Sequence, residues 1–248
     1  MRIRVIPVLL LKSGGLYKTI QFNKPTYIGD PINAVKIFND KCADELILLD
    51  YNASLENRAI QHQKISEIAG EAFMPMGYGG AIRSFEDARK VFDDGFEKVI
   101  LNSVLFDQLQ IVGQIASVYG AQSVVASIDF KKNIFGKAKV YSHSGQRNTG
   151  KDPILWAKEL ELAGVGEIML HAITKDGTWS GYDLEVLQQV ASAVSIPVII
   201  CGGAGSIEDF SKAIQHGASA VAAGSMFVFQ KKGMGVLINF PTNQQFLK

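Results

Sequence analysis

Residues 74–106 read MPMGYGGAIRSFEDARKVFDDGFEKVILNSVLF, and residues 196–228 read IPVIICGGAGSIEDFSKAIQHGASAVAAGSMFV. Pro75 pairs with Pro197, Ser84 with Ser206, Glu86-Asp87 with Glu208-Asp209, Gly95 with Gly217 and Ser103 with Ser225, each 122 positions apart. The clusters Gly79-Gly80-Ala81 and Gly202-Gly203-Ala204 match with a one-residue slip. Glu45 in DELILLD and Glu167 in GEIMLHA keep the same spacing, so the repeat reaches beyond one glycine loop. The chain therefore reads as two copies of one half.

Working outward from the repeat, short apolar segments alternate with amphipathic ones of helical periodicity. The strand candidates are VIPVLLL (5–11), ELILLD (45–50), FMPMGY (73–78), KVILNS (98–103), SVVASID (123–129), EIMLHA (167–172), PVIICG (197–202) and AVAAGS (220–225). Helix candidates between them include DPINAVKIFNDK, SFEDARKVFDDG, PILWAKELELAG and SIEDFSKAIQHG. Strands apolar on both faces, each followed by a helix, indicate a parallel sheet covered on its outside. Eight such units in 248 residues predict an α/β fold, a (βα)8 TIM barrel. A doubly wound open sheet gives no reason for a four-plus-four duplication. The expected organisation is one domain over residues 1–248, with half-barrels at about 1–120 and 121–230 and ligands at the C-terminal strand ends.

Composition narrows the function. A 47% hydrophobic content supplies a substantial core, and 25 Lys plus Arg against 24 Asp plus Glu leave no field to hold nucleic acid or an anionic membrane. Cys42 and Cys201 stand in unrelated segments without metal-ligand spacing, which fits a reducing cytoplasm; neither a metal nor a cofactor is expected. The apolar run after Met1-Arg2 is too short for a signal peptide, and no stretch approaches a membrane span of roughly 20 apolar residues. Two connections are long. Residues 12–30, with Gly14, Gly15 and Lys18, are long enough to fold over a ligand, and FKKNIFGKAKVYSHSGQRNTGK after strand five resembles a small hairpin plus a polar turn.

In a barrel, glycines and small residues ending strands seven and eight expose backbone N–H groups where a phosphate is stabilised. Gly202, Gly203, Gly224 and Ser225 hold those positions, and the repeat supplies Gly79, Gly80, Asn102 and Ser103 at strands three and four. Tight turns would use glycines equally well, but four matched elements across one mouth suit a small molecule phosphorylated at both ends.

The landmarks RVIP, GDP (29–31), ADELILLD, GG with IRSFEDA, Asn102-Ser103, SIDFKK, SGQRNTG, GVGEIML, DGTWSGYD and IICGGAGSIEDF together resemble HisF, the cyclase subunit of imidazole glycerol phosphate synthase. The resemblance runs from Arg4 to about Phe229; the related sugar-isomerase barrel of histidine biosynthesis shares the half-barrel pattern. The tail KKGMGVLINFPTNQQFLK does not look like the family's last amphipathic helix. The resemblance implies two aspartates, ending strands one and five, as general acid and base of imidazole closure. Asp129 matches the second. The first falls at Leu10, because IPVLLLK aligns with SIDFK within this chain. Leucine transfers no proton, so a positioned acid or base worth about 10²- to 10⁴-fold is missing. His171, with Lys18 of the long connection, is a candidate substitute. Ala81 and Cys201, standing where the family has glycine and serine, indicate a remodelled ligand site, to which Asp176 and Gly177 of DGTWSGYD also belong by resemblance. At the opposite end, Arg4, Glu45, Lys98 and Glu167 match the charged ring that gates the family's ammonia passage; a static plug closing the core is the plainer alternative.

These features resemble most closely a HisF paralogue of the type implied in amidination of surface sugars. The implied partners are a HisH-type glutaminase at the N-terminal barrel face, a separate ATP-dependent amidotransferase and a phosphorylated small-molecule ligand. A genuine cyclase of histidine biosynthesis is the alternative. An isomerase of a phosphorylated aminoaldose is disfavoured because it also calls for both aspartates.

Overall fold

The computed structural model describes residues 3–241. Eight parallel strands form the barrel wall: β1 (Arg4–Lys12), β2 (Leu46–Asp50), β3 (Met76–Gly79), β4 (Lys98–Leu101), β5 (Val124–Lys132), β6 (Glu167–Ala172), β7 (Val198–Cys201) and β8 (Ala220–Ala223). Each pairs in parallel with the next, and β8 pairs with β1, so the sheet closes without an edge. Outside lie α1 (Pro31–Asp40), α2 (His62–Ala69), α3 (Phe85–Asp93), α4 (Ile111–Tyr119), α5 (Pro153–Leu162), α6 (Leu184–Ala191), α7 (Ile207–Gln215) and a short α8 (Ser225–Val228). This is the (βα)8 TIM barrel that the eight strand–helix units predict. No helix among the described residues is long and apolar enough to cross a membrane.

The two-residue period of a strand divides the core in two. Residues directed outward, such as Leu9, Leu46, Leu48 and Ile168, join the helices in one large apolar cluster. Those directed inward, including Ile6, Val8, Ile47, Val125, Met169 and Ile199, form a second cluster inside the barrel. Consecutive inward positions on β1 are thus Arg4, Ile6, Val8 and Leu10, running from the floor to the mouth.

The repeated segments build the same helix start twice. The Ser84 hydroxyl accepts from the Asp87 N–H at 3.1 Å, while the Asp87 carboxylate accepts from the Arg83 N–H at 2.9 Å. At α7, Asp209 accepts from the N–H groups of Gly205 and Ser206. Such caps satisfy donors that the first helical turn leaves unpaired. Ser84→Ala is expected to lower stability by about 1 kcal/mol in a urea unfolding titration.

Two segments differ from the sequence expectation. Strand three begins at Met76 rather than Phe73, because Pro75 has no N–H to offer the ladder and Phe73 stands 91% exposed. Residues 12–30 are not an irregular loop: Gly15–Ile20 and Asn23–Gly29 make an antiparallel hairpin continuing from β1. Its second strand, NKPTYIG, is mostly exposed and lacks the alternating pattern that would have marked it. The connection after β5 is a hairpin too, with Ala138–Ser142 paired to β5. After α8 the chain turns back through Gln230–Gly235, and Phe240 packs against Phe38 and Phe227 at 6.3 and 5.4 Å between ring centres. The remainder of the tail, residues 242–248, lies outside the described residues.

Candidate functional site

At the floor, Arg4, Glu45, Lys98 and Glu167 come from four strand starts and meet inside the barrel. Lys98 Nζ lies 2.9 Å from a carboxylate oxygen of each glutamate, and Arg4 donates to Glu45 at 2.5 Å and also to Glu167. Each cation therefore bridges both anions in a closed square. Glu45 and Glu167 are buried, while Arg4 keeps 30% of its side chain accessible. Burial alone would lower the Arg4 pKa, but the hydrogen bonds and charges of Glu167 and Glu45 outweigh it and hold the guanidinium above its ordinary range.

At the mouth, a cavity of about 360 Å³ opens over the ends of β2 to β5. Leu10, Asn102, Ser103, Asp129 and His171 line it, together with Gly80 and Ala81. Gly80 carries a φ of +128°, and a Cβ there would stand 2.5 Å from the Asp50 carbonyl oxygen, so only glycine lets the backbone approach the cavity. Asn102 donates to the Ser127 carbonyl at 3.0 Å, and Ser103 accepts from the His143 N–H at 3.1 Å. The hairpin after β5 is thus tied to the end of β4. Several wall residues were not foreseen from the sequence: Phe22, Tyr51, Ser54, Arg83 and His143. Ser54 lies 122 positions before Asp176, so the repeat could have found it. Arg83 answers to Gly205, and the repeat carries no signal for it.

One wall of the cavity is a buried polar cluster. Ser127 donates to Asp129 at 2.8 Å; His171 Nδ1 lies 3.8 Å from Asp129, and His171 Nε2 lies 3.6 Å from Asp176. Both histidine separations are ion-pair distances beyond hydrogen-bond range, and Nε2 is a buried nitrogen without a hydrogen-bond partner. Burial pushes the Asp129 carboxyl up, with His171 and Ser127 opposing it. For Asp176, burial is outweighed by Lys18, His171 and Thr19, and its pKa is lowered. Burial alone would lower the His171 imidazole, but the Cys201 sulfur and Asp176 carboxylate hold it well above 6.5. A histidine raised in this way stabilises the fold fully below its unfolded pKa, and the contribution is lost as pH rises through the folded value. Thermal unfolding scans from pH 6 upward should therefore show His171→Gln losing less stability with rising pH than the parent chain.

The second-half positions do not line this cavity. Gly202, Gly203 and Ser225 are buried, and a side chain at Gly203 would collide with the Gly181 carbonyl. Gly177 lies beneath Thr19, whose carbonyl would stand 2.5 Å from a Cβ there. Lys18 is 4% exposed; its ammonium lies over Gly224, and its charge acts on Asp176. The structure thus brings Asp129, His171, Asp176 and Lys18 into one cluster and leaves Leu10 as an apolar patch on the cavity wall.

Residues 4–232 match the family described as histidine biosynthesis protein. A Pseudomonas aeruginosa protein with the provisional name imidazole glycerol phosphate synthase subunit hisF2 is 50% identical over 241 residues, covering 97% of this chain and 96% of that protein. A provisionally named HisF subunit of the same synthase from Leptospira interrogans is 43% identical, with coverage of 97% and 96%. The imidazole glycerol phosphate synthase subunit HisF of Lactococcus lactis subsp. cremoris is 43% identical over 220 residues, or 88% of this chain and 85% of that one. With its closed barrel and its match over nearly the whole length, the chain belongs to the histidine biosynthesis protein family, within the HisF-type subunits.

Proposed function

We propose that this chain is the acceptor-side subunit of a cytoplasmic glutamine amidotransferase complex, conducting ammonia from a HisH-type glutaminase through its barrel. The acceptor is a surface sugar amidinated by a separate ATP-dependent enzyme, and not the imidazole precursor. The observation that carries this reading is Leu10: at the mouth, where the family's first catalytic aspartate is expected, an apolar side chain lines the cavity. Proton transfer needs a group of suitable pKa within reach of the reacting atom, and leucine has none.

The rest of the barrel supports a conduit. Between the charged floor and the mouth, the interior is filled by Ile6, Val8, Ile47, Ile100, Val125, Met169 and Ile199, apolar surroundings that favour neutral ammonia over ammonium. The floor ring of Arg4, Glu45, Lys98 and Glu167 acts as the gate. Around it the N-terminal face offers apolar docking surface: Phe73, before β3, and Leu162, ending α5, are 91% and 89% exposed. At the mouth, Gly80, Asn102 and Ser103 hold an anionic group of the ligand.

The test is glutamine hydrolysis by a HisH-type glutaminase with and without this chain. Stimulation is expected, and an unchanged rate would remove the glutaminase partnership. A genuine cyclase is the second reading, favoured by the 3.8 Å approach of His171 to Asp129, which would let the imidazole serve as the missing acid.

A further inference from the structure

The near balance of charge over the whole chain conceals a local excess at the mouth. Residues 12–29 and 131–151, the connections that rise from β1 and β5, hold nine of the 25 Lys and Arg and none of the 24 Asp and Glu. Some of these cations are engaged within the protein: Lys18 acts on Asp176, Lys132 pairs with Asp183 and Glu185, and Lys151 pairs with Glu159. Lys24, Lys137 and Arg147 are exposed and have no carboxylate partner among the described residues. Lys131 and Lys139 donate only to the carbonyls of Gly145 and Gly150, at 2.7 and 2.8 Å, and so keep their charge uncompensated. Between these cations, at the tip of the hairpin after β5, Ile134 and Phe135 stand 93% and 86% exposed. The turn that presents them is firmly built. The Asn133 side-chain oxygen accepts from the N–H groups of Phe135 and Lys137 at 2.9 and 3.0 Å. Asn133 donates its own N–H to the Lys137 carbonyl at 3.0 Å, and Gly136 donates to the Asn133 carbonyl at 2.9 Å.

We propose that the mouth of the barrel docks on an anionic phospholipid bilayer, with Ile134 and Phe135 entering the headgroup boundary and the lysines around them facing the lipid phosphates. Lipid offers few partners for backbone N–H groups, and this turn satisfies those of Asn133, Phe135, Gly136 and Lys137 within itself. Apolar side chains at the boundary, flanked by long cationic side chains whose stems lie along it, are how interfacial segments divide the two environments. A protein partner suits the surface less well. Protein interfaces are enriched in Arg and depleted in Lys, whereas eight of the nine cations here are Lys. The apolar tip is also a projection of two residues rather than a broad patch, and a deformable headgroup layer accepts a projection without a matching pocket. Each lysine held near an anionic surface contributes about fivefold to partitioning, so the uncompensated cations and the two apolar side chains act together.

The experiment is co-sedimentation of the full chain with extruded vesicles, either of phosphatidylcholine alone or with about 40% phosphatidylglycerol, at about 50 and about 500 mM salt. Binding is expected on the anionic vesicles at low salt, and weaker by about tenfold or more on neutral vesicles or at high salt. Ile134→Ser combined with Phe135→Ser should lower partitioning by about tenfold or more, and Lys137→Glu by about fivefold or more. All three positions are exposed, so thermal unfolding of these variants should match the parent. The emission of Phe135→Trp should shift to the blue on anionic vesicles and be quenched by lipids brominated on their acyl chains, which adsorption by charge alone would not produce. No binding to the anionic vesicles, or parent-like partitioning of the double serine variant, would overturn the proposal. Self-association of the lipid-free chain in sedimentation velocity, abolished by the same serines, would overturn it as well by assigning the tip to a second copy. Neither the glutaminase nor the acceptor enters this test, so its failure leaves the conduit reading untouched.

Discussion

Supplied with ammonium and the phosphoribulosyl formimino carboxamide precursor, the purified chain should form imidazole glycerol phosphate about 10²- to 10⁴-fold more slowly than its Leu10→Asp variant. That range corresponds to roughly 3 to 5 kcal/mol of barrier. Leu10 is 5% exposed and lines the cavity together with Asp129. Introducing a carboxylate there is structurally tolerable. Leu10 is a wall residue of the mouth cavity, so a carboxylate there faces the cavity and not the packed core. The readout is product formation under saturating ammonium, which bypasses any glutaminase. Parent turnover equal to that of the variant would restore the cyclase reading and assign the acid role to His171.

The second large effect belongs to the floor. Glu167→Ala would leave Arg4 and Lys98 sharing Glu45 alone, and Lys98→Ala would leave Glu45 and Glu167 with only Arg4. Removing one partner from a buried charge pair typically costs about 3 to 5 kcal/mol, because the remaining charge is left uncompensated. Arg4 remains partly solvated, so the lower end is expected for Glu167→Ala in urea unfolding. Removing both Lys98 and Glu167 should cost less than the two single losses combined, the mark of a coupled pair. With the glutaminase present, both single variants should also lower acceptor product per glutamine hydrolysed, as ammonia escapes at a broken floor. An unchanged ratio with reduced stability would leave the ring a static plug and count against the gate.

Much of this was legible along the chain because the determinants are local or periodic. Strand alternation placed Arg4, Glu45, Lys98 and Glu167 at strand starts, and closure of the barrel then brought them within ion-pair distance. The cap at α3 depends only on Ser84, Asp87 and the intervening backbone, so its signature is a short word in the sequence. Leu10 was visible for the same reason, since internal alignment with Asp129 needs no tertiary information. The strand in residues 23–29 escaped because its exposed pattern carries no hydrophobic alternation. Arg83 and Tyr51 reach the cavity through loop conformations that no periodicity encodes.

What the sequence alone determined is the eight-unit plan, its two-copy construction, the charged floor and the absence of a carboxylate at position 10, all consequences of residue type and spacing. Tertiary structure decided the asymmetry of the mouth. The two copies carry nearly the same glycines, yet Gly80 lines an open cavity while Gly203 is closed by Gly181 and Gly224 lies under Lys18, on a hairpin joined to Thr174 and Asp176 more than 150 residues away in sequence. Hydrogen bonds over such separations depend on how the closed barrel aims its connections, and no local pattern records that direction.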